Sequence, residues 1–135
     1  MLLPVLALVA WTLIVWGWMY ATRLPAMAKE DIPPQNALHP GALNSLPSAI
    51  RVVADNYNHL HEQPTLFYAL AFYIELAETS SPMTIGLAWG YVGSRVLHSF
   101  AQIVLKQVPA RFVLFCLSSV ILVALVVISV IDILV

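Results

Sequence analysis

Four stretches of this 135-residue chain are long and apolar enough to be solvated by lipid, with one sizeable loop among the segments that join them. In a bilayer core every backbone N–H and C=O must be satisfied within the chain, which for segments of about 20 residues means α-helices. The chain is 61% hydrophobic and only 10% charged, with a mean hydropathy of +0.86. A soluble domain carries roughly 25% charged residues, so the composition excludes one. The expected architecture is all-α, an integral membrane four-helix bundle. It forms a single domain over 1–135, with helices at about 1–22, 48–78, 83–105 and 110–134.

No basic segment precedes the first apolar run, so it reads as a retained helix rather than a cleaved signal. Trp11, Trp16, Trp18 and Tyr20, followed by Arg23, have the order of an interfacial belt and its charged anchor. Pro25, Pro33, Pro34 and Pro40, together with Lys29, Glu30 and Asp31, have loop composition. From Ser48 the pattern predicts one long helix to Glu78, bent where Pro64 frees the carbonyl of Leu60, close to Glu62. The loops after the first and third spans hold Lys29, Arg51 and Lys106, with Arg23 and Arg111 at their margins. Positive-inside bias then places both loops in the cytoplasm and both termini outside, in a multi-pass protein. Six Lys and Arg residues and a net charge of −1 exclude a nucleic-acid partner, which needs clustered cations. The one cysteine, Cys116, has no partner in the chain and reads as a small packing residue.

Against this background three ionisable residues stand out inside apolar stretches: Glu62, Arg95 and His98. An intramembrane charge is a functional hypothesis by default. Arg95 and His98 are three apart and share a helix face. Arg95 lies about ten residues, or roughly 15 Å, from the end of its span, too deep for easy snorkelling. The spacing therefore predicts a buried ion pair between Arg95 and Glu62, the acid at matching depth. Two readings of that pair stay open. It ties two helices together, or it belongs to a pocket in which the surplus cations Arg23, Arg111 and protonatable His98 await an anion. A metal is not expected, because His59 and His61 are two apart, on different helix faces, and no thiolate supports them. His39, in a Pro-rich loop, reads as a solvated turn residue.

The run Asn56-Tyr57-Asn58-His59-Leu60-His61-Glu62-Gln63-Pro64-Thr65-Leu66-Phe67-Tyr68-Ala69-Leu70, then Arg95-Val96-Leu97-His98, then Arg111 after a proline, resembles the MAPEG family. These are membrane-associated proteins in eicosanoid and glutathione metabolism, and the likeness, to a bacterial-type member, extends over nearly the whole chain. The resemblance implies a homotrimer in a bacterial inner membrane, with glutathione as co-substrate held between subunits toward the cytoplasmic side. It implies glutathione-binding roles for Arg23, His59, Glu62, Arg95, His98 and Gln102. Arg111 would be the catalytic residue, because a nearby guanidinium stabilises a thiolate. The implied activity is glutathione transferase or peroxidase-like, on lipophilic electrophiles arriving through the bilayer.

The chain departs from the family pattern at several of these positions. His59 stands where Asn is usual, Gln102 where several members have Tyr, and Phe112 and Phe115 where some carry a hydroxyl. Asn58 is neutral at a position basic in some members. A non-catalytic scaffold or accessory subunit of a membrane assembly is the alternative that these departures keep open.

Overall fold

The structure, a computed structural model, describes residues 1–39 and 41–134. Helix α1 spans Leu2–Lys29, α2 Ser48–His59, α3 Gln63–Leu76, α4 Pro82–Phe100 and α5 Val108–Leu134. A π-helical turn, Ala101–Leu105, prolongs α4, and a 3-10 turn, Pro34–Ala37, lies in the long loop. No strand occurs among the described residues.

Two boundaries differ from those expected of the sequence. Helix α1 does not end near residue 22 but continues past Pro25 to Lys29. Pro25 removes one backbone donor, and packing of α1 on α2 holds the remaining turns in place. The single helix expected over 48–78 is instead two helices separated at Leu60, His61 and Glu62. Glu62 adopts φ −88° and ψ −99°, outside the helical region. Pro64 therefore starts α3 rather than bending a continuous helix. In a first turn its missing N–H has no helical partner to lose.

Helix α4 begins with Pro82 behind a reciprocal cap. The Thr84 amide donates to Ser81 Oγ at 3.2 Å, and the Ser81 amide donates to Thr84 Oγ1 at 2.9 Å. Its far end turns tightly into α5, with Lys106 in the left-handed region at φ 53° and the Gln107 amide donating to the Ala101 carbonyl at 3.1 Å.

α4 packs most extensively on α5, α1 packs on α2 and α4, and α3 contacts α1 and α5. At Gly90 a β-carbon would sit 3.6 Å from Ile121 Cδ1 of α5, in ordinary van der Waals contact. The core between the helices is built from Leu8, Val15, Phe67, Ile74, Tyr91 and Leu125, with the Phe67 and Tyr91 rings stacked at 4.5 Å. Hydroxyls inside the bundle return to their own helices: Thr12 to the Leu8 carbonyl, Ser94 to Tyr91, Ser129 to Leu125. Each thereby enters an apolar medium without an unsatisfied proton.

The Met1 amino group lies 3.0 Å from the Glu75 carboxylate, which places the start of α1 beside the end of α3. Ser48 lines one cavity with Lys106 and Arg111, so the start of α2 shares an end of the bundle with the α4–α5 turn. Only 28% of the most apolar stretch of α1 and 22% of that of α5 is buried within the chain. The outward faces, which include Cys116, are apolar and exposed, so that this cysteine does not pack inside the bundle.

Candidate functional site

The break between α2 and α3 determines what Arg95 can reach. At the end of α2 the Leu60 and His61 amides still serve the carbonyls of Asn56, Tyr57 and Asn58, but the interruption leaves the His59 carbonyl without an amide partner at the negative end of the helix dipole. Arg95, 1% exposed on α4, donates from Nη2 to the His59 carbonyl at 2.9 Å. It caps α2 from a neighbouring helix. Its Nε and Nη1 are also buried and have no acceptor.

The ion pair expected between Glu62 and Arg95 does not form. Glu62 sits in the break itself, with a side chain 61% exposed, and its carboxylate meets His59 Nδ1 at 2.8 Å. The two residues share a depth only along a continuous helix, and the chain breaks between α2 and α3. Once the helix breaks, the backbone turns Glu62 outward and offers Arg95 a carbonyl instead.

His98, 3% exposed, lies one turn beyond Arg95. Its ring stands nearly perpendicular to that of His59, 6.2 Å between centroids, and its buried Nδ1 has no partner. A further turn on, inside the π-helical segment, Gln102 accepts a 2.9 Å hydrogen bond at Oε1 from Nδ2 of Asn56, itself fully buried on α2. Asn56 and His59 share one face of α2, and Arg95, His98 and Gln102 share one face of α4 and its π turn. The two faces form a polar ladder between helices. Because the carbonyl of Gln102 is occupied, its NH₂ group is the part left to face a ligand.

Gln102 also borders a cavity of about 120 Å³ with Arg111, Lys106 and Ser48. Arg111, half-buried in the first turn of α5, thus joins the ladder through Gln102. Arg23 does not. It lines a different cleft, beside Arg51, which contains none of Glu62, Arg95, His98, Gln102 or Arg111. Of the residues singled out in the sequence, a single chain therefore brings together His59, Arg95, His98 and Gln102, with Arg111 adjoining. Glu62 lies at the rim and Arg23 apart.

Two contributors escaped the sequence reading. Asn56 reads in the sequence as one member of a polar run, though its place three before His59 aligns it with that residue's face. Gln63 holds a second polar cluster: its Nε2 donates to Ser119 Oγ at 2.7 Å, and its Oε1 accepts from Ser118 at 3.1 Å and Tyr91 at 3.4 Å. The signal was a carboxamide at the head of an apolar run, where only a partner on another helix repays its burial. Among the described residues no group of three His, Cys, Asp or Glu side chains converges.

An all-helical bundle in which α1 and α5 are long and apolar enough to cross a membrane, with Arg95 buried between helices, has the make-up of an integral membrane protein with a polar interior. The sequence model of the MAPEG family matches residues 1–131, and the chain belongs to that family. Neither a curated protein nor a solved structure matches it. The family contains glutathione transferases and peroxidases as well as non-catalytic members.

Proposed function

We propose that this protein binds glutathione and uses it as co-substrate against lipophilic electrophiles, as a transferase or peroxidase of the membrane. The observation that carries this reading is Arg95: a guanidinium 1% exposed, with two nitrogens lacking acceptors and no carboxylate as partner. Burying a cation is costly unless it is neutralised. A bundle that keeps one here, beside a histidine nitrogen also without a partner, is suited to an anionic guest.

Glutathione carries two carboxylates and one ammonium at neutral pH. Arg95 takes a carboxylate, exposed Glu62 receives the ammonium at the rim, and the Gln102 NH₂ donates to a peptide carbonyl. Arg111 faces the sulfur. Its charge stabilises S⁻ and lowers the thiol pKa from about 8.5, so that a larger fraction is nucleophilic at neutral pH. The thiol proton passes to water, sulfur forms the new bond to the electrophilic carbon, and the leaving group departs with its electron pair. A homotrimer completes the arrangement by covering the exposed apolar faces and seating the peptide between copies, with Arg23 supplied from a neighbour. The end of the bundle that holds Arg23, Lys106 and Arg111 faces the cytoplasm.

A non-catalytic scaffold is the second reading. It is favoured by Phe112 and Phe115, which put no hydroxyl near Arg111. Conjugation of a model electrophile by detergent-purified protein separates the two. Arg111→Ala is expected to lower the rate by at least about tenfold, while glutathione binding by calorimetry persists. Equal rates in the variant and the native protein would reject the thiolate role of Arg111.

A further inference from the structure

Lys106 stands in the α4–α5 turn in the left-handed region, with φ 53° and ψ 33°, a conformation that glycine adopts without steric cost and lysine does not. Asp31 and Glu78 share this region of φ, but of the three only Lys106 borders either of the two cavities described. Backbone strain that persists beside a cavity points to a use for the side chain that bears it.

The cavity is the one of about 120 Å³ that Lys106 shares with Arg111 and Gln102. Among the described residues its charged or titratable walls are Lys106 from the turn and Arg111 from α5, while α2 contributes Ser48 and Val52 and the π turn contributes Gln102. No carboxylate lines it, and neither cation forms an ion pair among the described residues. Two like charges bordering one small space repel each other, and an anion placed between them relieves that repulsion. Val52 and Val108 make part of the wall apolar, which lessens screening there. Lys106 itself is exposed, so its effect is that of a solvated charge, modest and weakened by salt.

With the glutathione sulfur at Arg111, the reading on which this rests, we infer that Lys106 is a second cation of the thiolate site: beside Arg111 it favours S⁻ over S–H and so raises the nucleophilic fraction of the bound thiol. Lys106 accepts no proton and forms no bond. The thiol proton leaves to water, and the sulfur attacks the electrophile with its own electron pair. Lysine at this position gives up stability that glycine would recover, and in exchange places a positive charge at the sulfur.

The test is the pH–rate profile for conjugation of glutathione to a model electrophile by the detergent-purified full-length protein, with the ultraviolet absorbance of the bound thiolate as a readout that does not depend on turnover. A solvated charge several ångströms from the sulfur moves the thiol by about half a pKa unit. Lys106→Gln is therefore expected to lower the rate about threefold on the acid limb and to move the thiolate absorbance to higher pH by about half a unit. The two profiles should meet at high pH, where the thiol is ionised with or without the lysine. Lys106→Gly should show the same shift although its Tm rises, a combination that misfolding does not mimic. Lys106→Arg, which keeps the charge, should hold the acid limb. Coincident acid limbs in the native protein and Lys106→Gln overturn the proposal. So does a loss equal at every pH, the mark of a structural role, and so does Lys106→Arg behaving as Lys106→Gln. A native protein with neither glutathione-dependent turnover nor a thiolate signal rejects the glutathione reading and the role of Lys106 with it, whereas normal turnover with coincident limbs rejects Lys106 alone.

Discussion

Arg95 is better described as a helix cap with spare capacity than as half of an ion pair. One of its nitrogens satisfies the carbonyl end of α2 and two others have no acceptor. A residue kept for stability alone would be improved by an apolar side chain of similar length, because a buried charge rarely repays its desolvation. Arg95→Met is therefore expected to shift stability by no more than about 1 kcal/mol, since the lost cap is offset by the removal of unsatisfied donors. It should also abolish the response to glutathione. A loss above about 3 kcal/mol in denaturant unfolding would mean that the arginine serves the fold. Glu62 gives the complementary case. Its side chain is largely exposed and meets only His59, so Glu62→Ala should cost under about 1 kcal/mol, whereas a partner of buried Arg95 would cost several. At this scale the sequence was informative about which residues share a face, as Arg95 and His98 do, and misleading about how they pair. Depth and helical face can be counted along a chain, but the direction of a side chain at a helix break cannot.

Helices and turns show a similar division. The apolar runs marked the two membrane-length helices α1 and α5, whereas the proline and charge cluster set the start of the long loop too early, since Pro25 and Lys29 lie within α1. What they left open was continuity. Pro25 lies inside a helix and Pro64 at the head of one. The same ring is tolerated in one place through tertiary packing and in the other through its position in the first turn. The α4–α5 connection carries its own strain, with Lys106 in the left-handed region at φ 53°. Lys106→Gly should therefore raise stability by about 1 kcal/mol in chemical unfolding, without altering the Asn56–Gln102 bond in the adjoining π turn. At the other end of α4, Ser81→Ala removes the acceptor for the Thr84 amide and is expected to cost about 1 kcal/mol in the same assay.

Across the whole molecule, the apolar surface that faces outward and the polar ladder that faces inward are two consequences of one pattern. Helices α1 and α5 bury less than a third of their most apolar stretches within the chain, leaving the remainder to lipid and, in the proposed trimer, to neighbouring copies. The interior retains what lipid cannot accept: Arg95, His98, Asn56 and Gln102. Fold and family were legible because both rest on hydropathy and on one local run of residues, which need no knowledge of contacts. The separation of the polar residues into a ladder and a distinct α1–α2 cleft was not legible, because Arg23 and Arg111 stand at the same end of the bundle yet face different neighbours. The most direct measurement is thermal unfolding of the detergent-solubilised protein over a glutathione titration, with Arg95→Met in parallel. Expected is a Tm that climbs with ligand in the native protein, by about 2.7 kcal/mol of stabilisation at one hundred times the Kd, and does not move in the variant. A native Tm unchanged at millimolar glutathione would contradict the claim that the buried guanidinium is held for an anionic guest.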